Sequence, residues 1–273
     1  MPVDPDALAV LVEAPVEGVR LLTMHRPERL NALNVELISE LTVALSEADA
    51  DPSVRCVILT GSGRGFCSGA DLTGMGVAPN SESLGDIPAN FLLQQHIAGL
   101  VTHMRRLRKP IIAAVNGPAA GGGLALVLAA DLRLAASSAR FAASFIKVGV
   151  SGADISTSWL LPRIVGAGNA HLLMLTGRLI DAQAARAMQL VVDVVPDDQL
   201  IDAATDLAAE IATNSPFGVW MTKEVMWSAL EIPGQQAAID LENRTQVLAS
   251  QLDDAHAQRA TVFTKEPVAY HWR

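Results

Sequence analysis

The sequence predicts an α/β fold, and three observations carry that expectation. Short apolar runs that end in glycine or proline recur through the first half of the chain, separated by segments with helical spacing. Two of those runs lead through glycine-rich turns into helix-like stretches. From about residue 156 onward the character changes, and one helical segment follows another. Repeated strand–strand–helix units with a mostly helical end are what this order implies.

Taken in order, "VRLLTMHRP" (Val19 to Pro27) is apolar-rich, alternates and stops at a proline, so it reads as a strand. Leu33, Leu37, Ile38, Leu41 and Leu45 then recur at helical spacing, giving an amphipathic helix over about 34–50. "RCVILTGSG" reads as a short buried strand ended by a glycine turn, and "KPIIAAVNG" repeats the pattern. "DLRLAA" (Asp131 to Ala136) is a third candidate of that type. The glycine-bearing, polar stretch 74–90 reads as a mobile loop. Helical segments are expected around 156–165, 169–175, 181–188, 198–214, 220–230 and 235–260. Between them lies one short strand candidate, "QLVVDVVP".

Composition narrows the function classes. With 273 residues, half of them hydrophobic, the chain can bury one large core or a core and an appendage. Aromatics make up only 4%, so that core must be aliphatic. A formal charge of -9 argues against a nucleic-acid-binding surface, although a few local cations can still hold a phosphate. The nearest thing to a basic patch, "RRLRKP" (Arg105 to Pro110), reads as a solvated helix end. Two cysteines are too few for a disulfide framework. Cys56 reads as a small core residue, and Cys67, beside glycines, as exposed but without a partner that would make it a nucleophile. The acidic start "MPVDPDALAV" is unlike a leader peptide. The longest apolar stretch, Leu124 to Ala130, is far short of the roughly 20 residues that span a bilayer. A cytoplasmic protein with no membrane span is the expectation.

Several chemistries have no footing in the sequence. It holds no phosphate-binding P-loop, no His-Glu-x-x-His and no Cys-x-x-Cys, and its histidines lack ligand spacing, so no metal site is expected. "GAGNAH" lacks the third glycine of a dinucleotide fingerprint, and neither Ser68 nor Ser151 sits in a nucleophile elbow.

Two junctions remain, "VILTGSGRGFCSGADL" and "AAVNGPAAGGGLALVL", where glycine-rich backbone ends an apolar strand. A helix N-terminus leaves its first amides unpaired and favours negative charge. Two such amides converging on one point would form an oxyanion hole; mere turns with close helix packing would give the same pattern.

The pair "GFCSGADL" and "NGPAAGGGLAL", in that order, resembles the enoyl-CoA hydratase/isomerase (crotonase) superfamily. "HRPERLNAL", "RKPIIAAVNG", "LLPRIVG" and "LTGRLIDAQAARAMQLVVDVVP" extend the resemblance along nearly the whole chain. It implies a crotonase-like spiral of repeated β-β-α units over residues 1–200 and a C-terminal helical trimerisation region over 201–273. The assembly implied is a homotrimer or a dimer of trimers. The implied ligand is an acyl-CoA thioester whose enolate the enzyme stabilises. Coenzyme A then enters as part of the substrate, and no separate cofactor is implied. Carried over by motif, the oxyanion amides would be those of Ala70 and Gly122, with Gly121 and Gly123 clearing the approach of the carbonyl. Backbone around Ser68, Ala70 and Leu72 would lie against the adenine end, Asp71 would fix the loop, and Lys265 would reach the CoA phosphates.

The chain departs from the family where a hydratase carries two glutamates: those positions here are Ala125 and Phe145. An apolar side chain cannot transfer protons, so two-glutamate hydration is not expected. Asp154 is the carboxylate left between Asp131 and Asp181. It stands at a distance before "LPR" similar to that of an acting aspartate in the family's dienoyl-CoA isomerases. It also reads as an N-cap of the following helix. Glu82 and Asp86 in the loop are further carboxylates that nothing places near the thioester. Three functions stay open: a hydratase/isomerase-type enzyme with Asp154 as its acid–base group; a non-catalytic acyl-CoA carrier or sensor; or another reaction of the superfamily, such as thioester hydrolysis or decarboxylation.

Overall fold

The apolar runs pair into a six-stranded sheet. The computed structural model describes residues 8–261 together with Phe263, Val268 and Tyr270. In spatial order the sheet runs β1 (Val10–Glu13), β2 (Val19–Met24), β3 (Cys56–Gly61), β4 (Ile111–Val115), β6 (Leu132–Ala136) and β9 (Asp193–Val195). The β1–β2 pair is antiparallel and the others are parallel. Every residue of β3 and β4 is buried, as expected of parallel strands covered on both faces.

A second, shorter layer makes the fold a spiral. β5 (Pro118–Ala120), β7 (Arg140–Ala142) and β8 (Ile180–Asp181) form a three-stranded sheet. Single bridges, Cys67 to Ala119 and Leu33 to Ala70, continue it back toward the N-terminus. Each turn of the chain thus contributes one strand to the large sheet, one extended step to the small layer, and then a helix. These steps were too short to show as periodic runs in the sequence, which is why the strands expected all belong to the large sheet; β1 of that sheet was not expected either.

α1 (Val35–Ala50) is capped by Asn34, whose side chain accepts from the Leu37 amide at 2.9 Å. It buries the apolar stripe seen in the sequence, from Leu37 to Ala48. α2 (Asp86–Arg106) begins inside the stretch expected to be a loop, so the loop ends at Gly85. α3 (Gly122–Ala129) buries all eight of its residues, which accounts for a segment apolar on every side. α4 (Thr157–Val165), α5 (Ala167–Thr176) and α6 (Ala182–Ala187) follow. α7 (Leu200–Ala212) lays Leu200, Ala204 and Ala208 on the face of the large sheet made by Val19, Ile58, Ile112 and Leu134.

The last helices are α8 (Pro216–Ala229), α9 (Gln235–Ser250) and α10 (Asp253–Thr261). The expected helix over 235–260 is therefore two, separated at Gln251 and Leu252. Lys223 of α8 is buried and forms an ion pair with Asp131 at 2.9 Å, while Trp227 donates to the same carboxylate at 2.8 Å. Asp131 also accepts from the Ile111 amide, so it joins α8 to the start of β4. α9 buries none of its residues, and Val247 and Leu248 on it are exposed.

The stretch Arg105 to Pro110 is not the solvated end expected. Arg105 lies between the rings of Trp159 and Trp227, Arg108 binds the Asp49 carboxylate at 3.1 Å, and Lys109 is buried with its ammonium on the Val54 carbonyl. Distant partners, which no local reading supplies, took Arg105 and Lys109 largely out of water, while Arg106 stays exposed and the Arg108 side chain is 40% exposed.

Candidate active site

The two glycine-rich junctions meet. At the first, Arg26 donates to the Asp71 carboxylate at 3.0 Å, and Asn31, fully buried with φ of 54°, donates to the carbonyls of Ser62 and Gly65. Asn116, at the end of the strand before the second junction, donates to the carbonyls of Gly63 and Gly65. The loop between β3 and Phe66 is thus clamped from both sides. Sequence reasoning missed Arg26, Asn31 and Asn116; their one local signal was a polar residue set just beyond an apolar run.

Asp71 is tied into the loop by its own neighbours. Its Oδ1 accepts from the amides of Thr73 and Gly74 and from the Thr73 hydroxyl. The Arg26 hydrogen bond, above all, holds its carboxyl down to about 2. Above it the chain comes to the surface: Ala70 and Leu72 are exposed and Ser68 is half-buried. Cys67 is fully buried instead of exposed, and burial pushes its thiol up to about 12, so it is no nucleophile.

Gly69 has φ of 98° and lies against the second junction. A Cβ there would fall 2.8 Å from the Ala120 carbonyl oxygen and 3.3 Å from the Gly122 amide nitrogen. Ala70 follows it directly. Among the described residues, neither the Ala70 nor the Gly122 amide donates to a backbone or side-chain acceptor. The Gly69 carbonyl accepts from the Leu33 amide and the Asp71 amide donates to the Leu33 carbonyl, which fixes the loop while leaving the Ala70 N–H open.

The three glycines have three different reasons, a refinement of the single one expected. Gly121, the N-cap, has φ of 51° and ψ of -118°, a conformation open to glycine. At Gly122 a Cβ would come within 2.9 Å of Leu33 Cδ1 and 3.5 Å of Ile155 Cδ1. At Gly123 it would fall 2.0 Å from the Cys67 carbonyl oxygen, so this glycine serves close packing of α3 on the first junction. Gly122 alone is glycine because of side chains that line the opening.

Those side chains are apolar. Phe145, in a 3-10 turn over Ser144–Val148, is buried with its ring 3.7 Å from the Cβ position of Gly121. Ala125 is fully buried in α3. Asp154 does not cap α4: the N-cap is Ser156, without a side-chain cap. Its Oδ1 instead accepts from the Ile155 amide at 2.8 Å and from the Gln94 side chain of α2, and its Oδ2 has no hydrogen-bond partner among the described residues. The next two residues, Ile155 and Ser156, have φ of 44° and 64°. A left-handed β-branched residue is a costly outlier, of the order of 1–3 kcal/mol, and such strain concentrates at functional sites. Here the Ile155 side chain lies against Gly122, and Asp154 is the residue before it in the chain.

Glu82 and Asp86 are exposed, the latter in the first turn of α2, and make no hydrogen bond or ion pair with the junction residues. Lys265 lies outside the described residues. No three His, Cys, Asp or Glu side chains among the described residues converge as a metal-ligand set. A cavity of about 760 Å³ opens between α8 and the strand end at Leu132, and none of the junction residues lines it.

The family model for enoyl-CoA hydratase/isomerase matches residues 15–272. The chain belongs to that family. It is 42% identical over 265 residues to a protein of Mycobacterium bovis named probable enoyl-CoA hydratase, covering 94% of this chain and 93% of that one. It is 39% identical over 239 residues to the 1,2-epoxyphenylacetyl-CoA isomerase of Escherichia coli, covering 87% and 89%. A crystal structure of a probable enoyl-CoA hydratase/isomerase from Mycobacterium abscessus superposes with a TM-score of 0.90 at 32% identity, covering 96% of this chain and 98% of that one. The crotonase spiral and the enzyme family expected from the two junctions are therefore established. No helix among the described residues is long and apolar enough to cross a membrane.

Proposed function

We propose that this enoyl-CoA hydratase/isomerase family member is an isomerase that moves a double bond in an acyl-CoA by single-carboxylate proton transfer. The thioester carbonyl lies between the Ala70 and Gly122 amides, and both bind the oxygen more strongly as negative charge develops on it. Asp154 takes a proton from the carbon next to the carbonyl of a 3-enoyl-CoA. The electron pair left behind delocalises onto the thioester oxygen and across the double bond. Asp154 then returns the proton to the fourth carbon, giving the 2-enoyl-CoA with no net gain or loss of atoms. Ser68, Ala70 and Leu72 at the surface form the rim for the adenine end, and Lys265 is the candidate for its phosphates.

The observation that carries this reading is the placement of Asp154. One of its oxygens is pinned and the other open, on a strained turn whose next side chain touches Gly122. The side chains nearest Gly121 and Gly122 are Leu33, Ile155, Ser144 and Phe145, which offer no second carboxylate to activate water. Asp154→Asn, assayed on a panel of enoyl- and dienoyl-CoA substrates, is expected to lower turnover by about 10²–10⁴-fold. Unchanged turnover removes Asp154 from the mechanism.

Ala125 and Phe145 also favour a second reading, an acyl-CoA carrier that keeps the cradle without the acids. Tight binding measured by calorimetry with no turnover across the panel selects it, and robust turnover rejects it. A homotrimer or dimer of trimers is the assembly supported by α9, which buries no residue within one chain. Sedimentation of the purified protein as a monomer contradicts that assembly.

A further inference from the structure

Arg105, near the C-terminus of α2, is a guanidinium without a hydrogen bond. Its side chain is 17% exposed, yet among the described residues none of its N–H groups has an acceptor within hydrogen-bond distance, and its Nε is enclosed. Its guanidinium carbon lies over the ring of Trp227 at 4.2 Å and over that of Trp159 at 4.5 Å, and Arg163 stacks on Trp159 at 3.9 Å. Glu231 approaches it at 3.7 Å and is itself 62% exposed, and Asp131 acts on it from farther away. An exposed pair of that length contributes little, about 0–1 kcal/mol. Burial and the neighbouring Arg163 push the guanidinium below its ordinary value, as expected of a cation that lacks a full partner.

Stacking fixes the plane of the guanidinium and leaves its edge as the binding surface. A planar edge of N–H groups suits the two oxygens of a carboxylate. Arg105 lines a cavity of about 440 Å³, within the range of about 300–1,000 Å³ usual for small-molecule sites. Val101, Leu107, Trp220 and Trp227 supply apolar wall, while Arg106, Glu224 and Glu231 add charge. Lys223 also lines it but is already paired with Asp131.

One lining residue ties the cavity to the thioester site, although Ala70, Gly122, Leu33, Phe145 and Asp154 do not line it. Ser156 lines it, and the preceding Ile155 touches Gly122. Along α2, Gln94, which holds Asp154, and Arg105 lie on one face, eleven positions and so roughly 16 Å apart. A straight acyl chain anchored at Gly122 and led past Ile155 would bring its far end toward Arg105.

We infer that the cavity takes the distal end of the acyl group and that Arg105 binds a carboxylate there, so that the substrates are CoA thioesters of medium-length dicarboxylic acids. This rests on the acyl-CoA reading of the Ala70–Gly122 site, although not on the chemistry assigned to Asp154. The acyl carboxylate would displace the loose Glu231 contact and give the buried cation its missing acceptors.

The test is a calorimetric comparison on the full chain. Adipoyl-, suberoyl- and sebacoyl-CoA are titrated against hexanoyl-, octanoyl- and decanoyl-CoA; saturated chains cannot isomerise, so the result is independent of proton transfer. The expected result is tighter binding of the dicarboxylic thioester by about tenfold or more at the fitting length. Arg105→Gln and Arg105→Lys, the second keeping a cation between the two tryptophans, should each shrink that ratio toward unity. Equal or weaker binding of the dicarboxylic thioesters at every length overturns the inference and leaves the thioester site standing. If no acyl-CoA binds at all, both fall. A preference that survives both substitutions places the carboxylate elsewhere and also overturns it. So does a change in sedimentation with unaltered selectivity, which would assign Arg105 to a neighbouring copy of the chain.

Discussion

The site at Gly122 and the seam that ties α8 to the sheet hold charge in opposite ways. At Gly122 the donors proposed for the oxyanion are backbone amides; Leu33 and Ile155 lie against Gly122, and Ser144 and Phe145 against Gly121. At the seam, buried side chains do the holding: Asp131 meets Lys223 and Trp227. Backbone donors are part of the fold and need no ordering when charge appears, which suits a transition state. Buried side-chain charges must be matched permanently, which suits a joint.

That contrast is sharpest in Lys223→Met. Removing one partner of a buried pair leaves an uncompensated carboxylate, so urea unfolding should show a loss of about 3–5 kcal/mol. Next in size is Gly122→Pro. Proline is tolerated in the first position of a helix, and here it deletes the N–H assigned to the oxyanion; because its Cβ would also meet Leu33 Cδ1 at 2.9 Å, Gly122→Ala, which adds that Cβ and keeps the N–H, is the reference against which the loss is read. Turnover should fall about 10²–10³-fold, equivalent to about 2.7–4 kcal/mol, while the folded protein persists by circular dichroism. The two variants thus separate stability from catalysis; a Gly122→Pro protein with normal turnover would erase the distinction.

Legibility in the sequence follows the same division. The junctions could be read because close backbone approach demands glycine, and "GFCSGADL" and "GGGLAL" carry that demand locally. Every large-sheet strand but β1, and the stripe of α1, were legible from their apolar patterns for a similar reason. Asp131 and Trp227 are 96 positions apart, and no local pattern announces such a pairing. The tryptophans that take up Arg105 were invisible for the same cause, so its stretch looked solvated. β5, β7 and β8 have two or three residues each, below the length at which alternation can be recognised. Asp154 was legible as the carboxylate left in its segment. Its strained turn and its Gln94 contact were not, because Ile155 and Ser156 are residues from which no left-handed backbone is expected.

A third prediction concerns the anchor beneath the first junction. The Asp71 carboxyl is held at about 2 against an ordinary 3.8, so its folded value is depressed. The stabilisation is therefore complete above about pH 4 and is lost as pH falls through about 2. Asp71→Asn should cost about 1.5–3 kcal/mol at neutral pH, and the gap to the parent protein should close between about pH 4 and 2. A gap that stays constant over that range would mean the carboxylate charge is not what Arg26 holds. The smallest effect belongs to Arg186→Ala, which removes an exposed pair with Asp193 at 3.9 Å. Thermal unfolding should register less than about 0.5 kcal/mol, against the large cost at Lys223.

The central claim is that a backbone cradle walled by apolar side chains, with one carboxylate, moves protons without adding water. Incubation of the purified protein with a 3-enoyl-CoA and, separately, a 2-enoyl-CoA in heavy water, followed by mass spectrometry, tests it most directly. The account predicts interconversion of the two enoyl-CoA isomers, with no 3-hydroxyacyl-CoA above the level formed without protein. Accumulation of 3-hydroxyacyl-CoA at a rate matching or exceeding isomerisation would contradict it.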